Sequence, residues 1–147
     1  MQLPGIGRDT CALVAKTKGL NEQGMSAYCY TGSYQIPVHT LTDSIVKDIM
    51  MIQEIIGTGE IAISDHRSSQ PTFEEFARVV ADTRLGGVLS GKAGIVNVHL
   101  GDSTNPDFLK SLGIGNFDIC FVTISGSFQN WQNRKNTLCR SPALIRC

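Results

Sequence analysis

Four side chains able to do chemistry, Glu60, Asp65, His66 and Arg67, fall within eight residues of the stretch GTGEIAISDHRSSQ, Gly57 to Gln70. The stretch opens on a glycine turn, passes through a short β-branched segment and ends in a charged cluster. A strand core with a carboxylate at its entry and three polar side chains at its exit is costly to bury unless those groups are paired or bind something. This makes it the leading site candidate in the chain. A surface strand with a salt-bridged exit loop is the alternative that the pattern alone leaves open.

Other chemistry-bearing groups are weaker candidates. Gly86 to Ala93, GGVLSGKA, matches the GxxxxGK of a phosphate-binding loop. However, Ala93 stands where a Ser or Thr should reach magnesium, and the loop follows a helix and precedes a strand. Phosphate cradling needs a helix N-terminus after the loop, so a plain helix-to-strand turn is expected. The five cysteines, Cys11, Cys29, Cys120, Cys139 and Cys147, are odd in number and irregularly spaced, with no CxxC. They read as free thiols rather than as a disulfide framework or a zinc site.

Composition narrows the class. The 147 residues suffice for one domain with a core, and 41% hydrophobic with 18% charged residues are globular values. A formal net charge of zero gives no electrostatic case for nucleic acid or an anionic membrane as partner. The N-terminal MQLPGIGRD lacks a signal-peptide core and no apolar run approaches a transmembrane span. A soluble, cytoplasmic protein is expected.

The elements that must position the cluster alternate. Arg8 to Glu22 reads as a helix with Cys11, Val14 and Ala15 on one face, and Ser26 to Gly32 as a strand exiting at Tyr34. Asp43 to Gly57 repeats Ile45, Ile49, Ile52 and Ile56 at helical spacing, with Asp43 as N-cap and Gly57 as terminator. The strand Glu60 to Ser64 follows. Thr72-Phe73-Glu74-Glu75 is a capping box opening a helix with Phe76, Val79 and Val80 inward, running toward Leu89. Ile95 to Asp102 is a third strand with His99 near its end, and a helix at 106–112 and a fourth apolar run at 117–125 complete the series. His39 reads as a solvated loop residue.

Strands alternating with helices predict an α/β fold of about four parallel βα units. In such folds ligands bind at strand C-termini, where Tyr34, the Asp65-His66-Arg67 cluster and His99 all fall. Residues 1–125 would make this unit. The tail, 126–147, has no Asp or Glu and no periodicity, and is expected to be disordered or foreign rather than a basic nucleic-acid arm.

The segments AKTKGLNEQGMSAY, TGSYQIP, IIGTGEIAISDHRSSQPT, TRLGGVLSGKAG and VNVHLGDS, in this order and spacing, resemble the middle of bacterial-type isoaspartyl (β-aspartyl) dipeptidases of the metal-dependent amidohydrolase superfamily. SDHRS together with VHLGDS is the most specific part. The similarity runs from Ile6 to Leu112, about three quarters of the chain. It implies a TIM-type (β/α)8 barrel holding two metal ions, usually zinc, at its C-terminal face. A metal-bound hydroxide would attack the side-chain-linked amide of a β-aspartyl dipeptide, because the metal ionises water near neutral pH and polarises the carbonyl.

Residue by residue, the resemblance implies that His99 is a metal ligand. Glu60 stands where the family commonly has a carboxylated lysine bridging the ions, and supplies the same kind of two-oxygen anion on a shorter stem. Tyr34 matches the tyrosine that stabilises the tetrahedral intermediate. Arg67 matches the arginine that takes the substrate's α-carboxylate. Asp65, His66 and Asp102 are expected to hold loops or support their neighbours.

The family's HxH pair, the histidine ending the sixth strand and the aspartate ending the eighth have no counterparts here, nor does its threonine after the second strand. A complete barrel takes about 250 residues. The chain is therefore expected to be a fragment, a partial barrel inactive by itself, whose open strand edges favour a homo-oligomer. A non-catalytic remnant or interaction module is the second expectation.

Overall fold

In the computed structural model, residues 9–63, 65 and 67–100 are described. The helix at 106–112, the fourth strand, the tail, His66 and Asp102 expected from the sequence lie outside the described residues. Within them the order is α1 (Thr10–Glu22), β1 (Cys29–Thr31), α2 (Ile45–Met51), β2 (Ile55–Ile63), α3 (Phe73–Ser90) and β3 (Ile95–Leu100).

The three strands form one sheet in the order β1-β2-β3, and both pairs are parallel. Parallel pairing between consecutive strands needs a crossover, and α2 and α3 supply it. The mixed α/β character and parallel sheet agree with the sequence expectation. β2 is central and almost wholly buried, as a strand covered on both faces must be. Gly57 is where β3 comes closest: a Cβ there would lie 2.1 Å from the Ile95 carbonyl oxygen, so only glycine fits.

α3 begins as the capping box predicts. Thr72 N donates to Glu75 Oε2 at 2.8 Å, while the Thr72 side chain accepts from Glu75 N. Its buried stripe is Phe76, Val79, Thr83, Gly86 and Gly87, with Val80 half-buried. Thr83 is buried because its hydroxyl is satisfied, by Val79 O and Thr58 Oγ1, each at 2.7 Å. The helix ends at Gly91, whose φ of 68° is the left-handed cap that glycine adopts without strain.

Two expectations need correction. The helix expected over Asp43 to Gly57 is only Ile45–Met51, and Asp43, at φ 62°, precedes an N-cap at Ser44. Ile52 is already extended, and β2 starts at Ile55, well before Glu60. Ile49 and Ile55 both enter the core, so apolar spacing runs unbroken across a boundary between helix and strand. In α1 the buried residues are Thr10, Val14 and Thr17, whereas Cys11 and Ala15 are exposed. Thr17 donates to Leu13 O at 2.8 Å, so its hydroxyl can be buried, and the inward face contains a residue that looks polar in the sequence.

Asp48, inside α2, is fully buried and ties the helix to the loop before it. It accepts hydrogen bonds from Thr31 Oγ1, Leu41 N, Thr42 N and Thr42 Oγ1, and so pins the loop before α2 to the end of β1. No helix among the described residues is long and apolar enough to cross a membrane.

Candidate functional site

The sheet brings the sequence candidates to one edge. Tyr34 lies just past the end of β1, Asp65 and Arg67 just past the end of β2, and His99 is the penultimate residue of β3. Tyr34 is fixed because Ala62 N donates to its carbonyl at 2.9 Å, which extends the β1–β2 pairing beyond Thr31. Ala62 in turn is the register partner of His99. The three strands therefore place Tyr34 and His99 on either side of β2, and their rings meet edge to face at a centroid separation of 6.3 Å.

Glu60 reaches this edge through an irregularity. Thr58 pairs with Val96 but Ile61 with Val98, so β2 has one residue more than β3 in this interval. Such a bulge bends a strand and re-aims a side chain. Gly59 occupies it at φ 153°, with the Asn97 carbonyl oxygen 2.7 Å from where a Cβ would stand. The result is Glu60 Oε1 at 2.9 Å from His99 Nδ1.

The exit loop supplies the other half. Asp65 Oδ1 accepts from Arg67 N and from Arg67 Nε, both at 2.8 Å, and Asp65 Oδ2 accepts from Arg67 Nη2 at 3.1 Å. The two-pronged guanidinium–carboxylate contact is the strong, directional kind. It draws the Arg67 pKa further up, and the guanidinium lies 4.4 Å from the Tyr34 ring centroid, within cation–π range. His99 Nε2 stands 2.9 Å from Arg67 Nη2 and 3.2 Å from Asp65 Oδ2. Asp65 and Tyr34 are buried; Arg67, His99 and Glu60 are partly exposed.

All four residues singled out in the sequence, Tyr34, Glu60, Arg67 and His99, thus meet in one cluster, and Asp65 joins it through Arg67 and His99. From the sequence, Asp65 is expected only to hold its loop or support its neighbours. Its signal was the spacing Asp-x-Arg in a loop, which lets a short carboxylate receive the arginine's own backbone and side chain together. His39 is exposed, as expected. A small cavity of about 50 Å³ borders the cluster, lined by Asp9, Thr10 and Leu13 of the α1 end and by Ser33, Tyr34 and Glu60.

The implied pair of zinc ions can be set against these donors. Glu60 and His99 are a carboxylate and an imidazole, of the kinds zinc takes, and they stand adjacent. A catalytic zinc usually takes about three protein ligands. Among the described residues no group of three His, Cys, Asp or Glu is placed to hold an ion. The described residues fit part of a metal site and do not complete one.

The phosphate-loop match at Gly86 to Ala93 has a different role. Lys92 Nζ donates to the carbonyls of Ile49, Ile52 and Ile55 at 2.5, 2.6 and 3.1 Å, at the opposite end of the strands. Of the cysteines, Cys11 is exposed and Cys29 buried, both free thiols; the other three lie outside the described residues.

No protein-family profile matches the chain. Among solved structures it is similar to a β-aspartyl dipeptidase from the thermophilic, keratin-degrading Fervidobacterium islandicum AW-1 crystallised with a β-Asp-Leu dipeptide. The identity is 44% and the TM-score 0.79, over 92% of this chain and 36% of that one. Another structure of β-aspartyl dipeptidase from the same organism matches at 47% identity and TM-score 0.72, over 82% of this chain and 34% of that one. The resemblance read from the sequence is borne out: most of the chain corresponds to a segment of the β-aspartyl dipeptidases, and it spans about a third of their length.

Proposed function

We propose that this chain carries the middle part of the active site of a β-aspartyl dipeptidase, a partial barrel that binds the aspartyl end of a β-aspartyl dipeptide and has no turnover alone. One observation carries this reading: Tyr34, Glu60, Arg67 and His99 converge at the C-terminal edge of three adjacent parallel strands. That edge is where parallel α/β enzymes bind their substrates. The similarity to enzymes of which one was crystallised with β-Asp-Leu supports the substrate class.

The roles follow from the side chains. Arg67 uses its Nε–Nη2 edge on Asp65, and Nη1 makes no hydrogen bond among the described residues. The guanidinium can therefore receive the substrate's α-carboxylate on its other edge. The Tyr34 phenol, likewise without a hydrogen-bond partner among the described residues, can donate to the oxygen that becomes negative when the amide carbonyl is attacked. Glu60 and His99 are proposed as two of the metal ligands of the whole enzyme, where bound zinc would supply an ionised water near neutral pH. The remaining ligands and the second half of the barrel must come from elsewhere, so the isolated chain is expected to be inactive.

The test is a graft. Residues 9–100 replace the matching segment of the Fervidobacterium enzyme, and hydrolysis of β-Asp-Leu is followed by amino-acid release. Activity that disappears on Glu60→Ala, together with measured loss of zinc, is the expected result. A folded graft with full metal and no turnover, or turnover that survives Glu60→Ala, defeats the proposal.

A further inference from the structure

Arginine recognises a carboxylate well only when its guanidinium is held in the right plane beforehand, because the long side chain otherwise loses rotamer freedom on binding. The constraint on Arg67 comes from one residue. Asp65 is 6% exposed and engages Arg67 at three points, the backbone N, Nε and Nη2. Its own backbone carbonyl accepts from Ser68 N at 3.0 Å and Gln70 Nε2 at 3.2 Å, so the carboxylate is carried on a closed loop. Tyr34 supports the opposite side, with its ring 4.4 Å from Arg67 Cζ.

We infer that Asp65 is a positioning residue for substrate binding: its carboxylate fixes the Nε–Nη2 edge of Arg67 over Tyr34, leaving the Nη1–Nη2 edge oriented for the α-carboxylate of a β-aspartyl substrate. This rests on the function proposed above. Nη2 also lies 2.9 Å from His99 Nε2. Asp65 thereby acts through Arg67 and does not touch the substrate.

A loop-fixing role alone would not depend on which substrate is bound, and this separates the two. In the full 147-residue chain, the Arg67 Nε–H signal in nitrogen-15 NMR is expected to be resolved and protected from exchange. Asp65→Ala should abolish that protection, because Asp65 Oδ1 is the acceptor of Nε–H, whereas Asp65→Asn, which keeps an oxygen there, should retain part of it. In the grafted enzyme, Asp65→Asn should raise KM for β-Asp-Leu by about tenfold or more, the loss of roughly one charge-assisted contact, with kcat little changed. The same dipeptide with its aspartyl α-carboxylate amidated should be spared.

Unchanged Nε–H protection in Asp65→Ala overturns the inference, and so does an equal loss on both dipeptides. If the graft is inactive from the start, the proposed function has failed, while the NMR measurement still decides whether Asp65 positions Arg67.

Discussion

The two ends of the same three strands each gather charged side chains, and they use them differently. At the N-terminal end, Lys92 donates to three main-chain carbonyls and Lys18 Nζ meets Glu54 Oε1 at 2.8 Å. At the C-terminal end, Glu60, Asp65, Arg67 and His99 bond mainly to one another's side chains. A charge spent on backbone carbonyls closes a helix and a strand start that no ligand could replace. Charges that face other side chains can exchange partners when a ligand arrives. Charge alone does not mark a site; what the charge is bonded to does.

The largest effect that would sharpen this contrast is expected at Lys92. Burial lowers the lysine's pKa, yet Nζ is the donor that closes the carbonyls at the end of α2 and the start of β2. Lys92→Met keeps the stem and removes the donor, leaving carbonyls without it, at about 1–3 kcal/mol for each buried group left unsatisfied. A loss of about 3 kcal/mol in urea unfolding of the chain is expected. A loss below about 0.5 kcal/mol would break the contrast, because the N-terminal cluster would then be dispensable.

Arg67→Lys should do the reverse. Stability should change by less than about 1 kcal/mol, the range of partly exposed pairs. Affinity of the grafted enzyme for β-Asp-Leu should fall about tenfold, since lysine cannot hold Asp65 and a substrate carboxylate on two edges. Comparable losses in folding and binding would make Arg67 as structural as Lys92.

The contrast also explains what was legible in the sequence. The capping box at Thr72 and Glu75, the third strand at Ile95 and the convergence of Tyr34, the loop cluster and His99 rest on local spacing or on the common polarity of parallel strands, so they could be read. The boundary near Ile52 could not, because Ile49 and Ile55 are both core residues and apolar spacing does not distinguish a helix end from a strand start. Lys92 was hidden inside a phosphate-loop pattern, since its partners lie about 40 residues away. Asp65 was visible as a charge but not as a partner of His99: that reach spans 34 residues and depends on the β2–β3 register.

The smallest effect is expected at Glu54, and it carries a sign that can be checked. The Lys18 hydrogen bond holds this carboxyl below its ordinary 4.5, against the opposing effect of burial. A carboxyl with a lower pKa folded than unfolded binds protons first in the unfolded chain as the pH falls. Its stabilisation is therefore present above the ordinary value and is lost as the pH falls through the folded one. Glu54→Gln can still accept from Lys18, so the substitution removes charge and little else. The variant should be slightly less stable than the parent at pH 7, and the gap should close in the acid range below 4.5. Lys18 is 57% exposed, so added salt should narrow the gap at pH 7 as well. Urea unfolding of both proteins at pH 7, 5 and 3 measures this. A gap that persists unchanged at pH 3 would mean that Glu54 acts by packing, and the N-terminal end would then owe its stability to Lys92 and the backbone rather than to ion pairing.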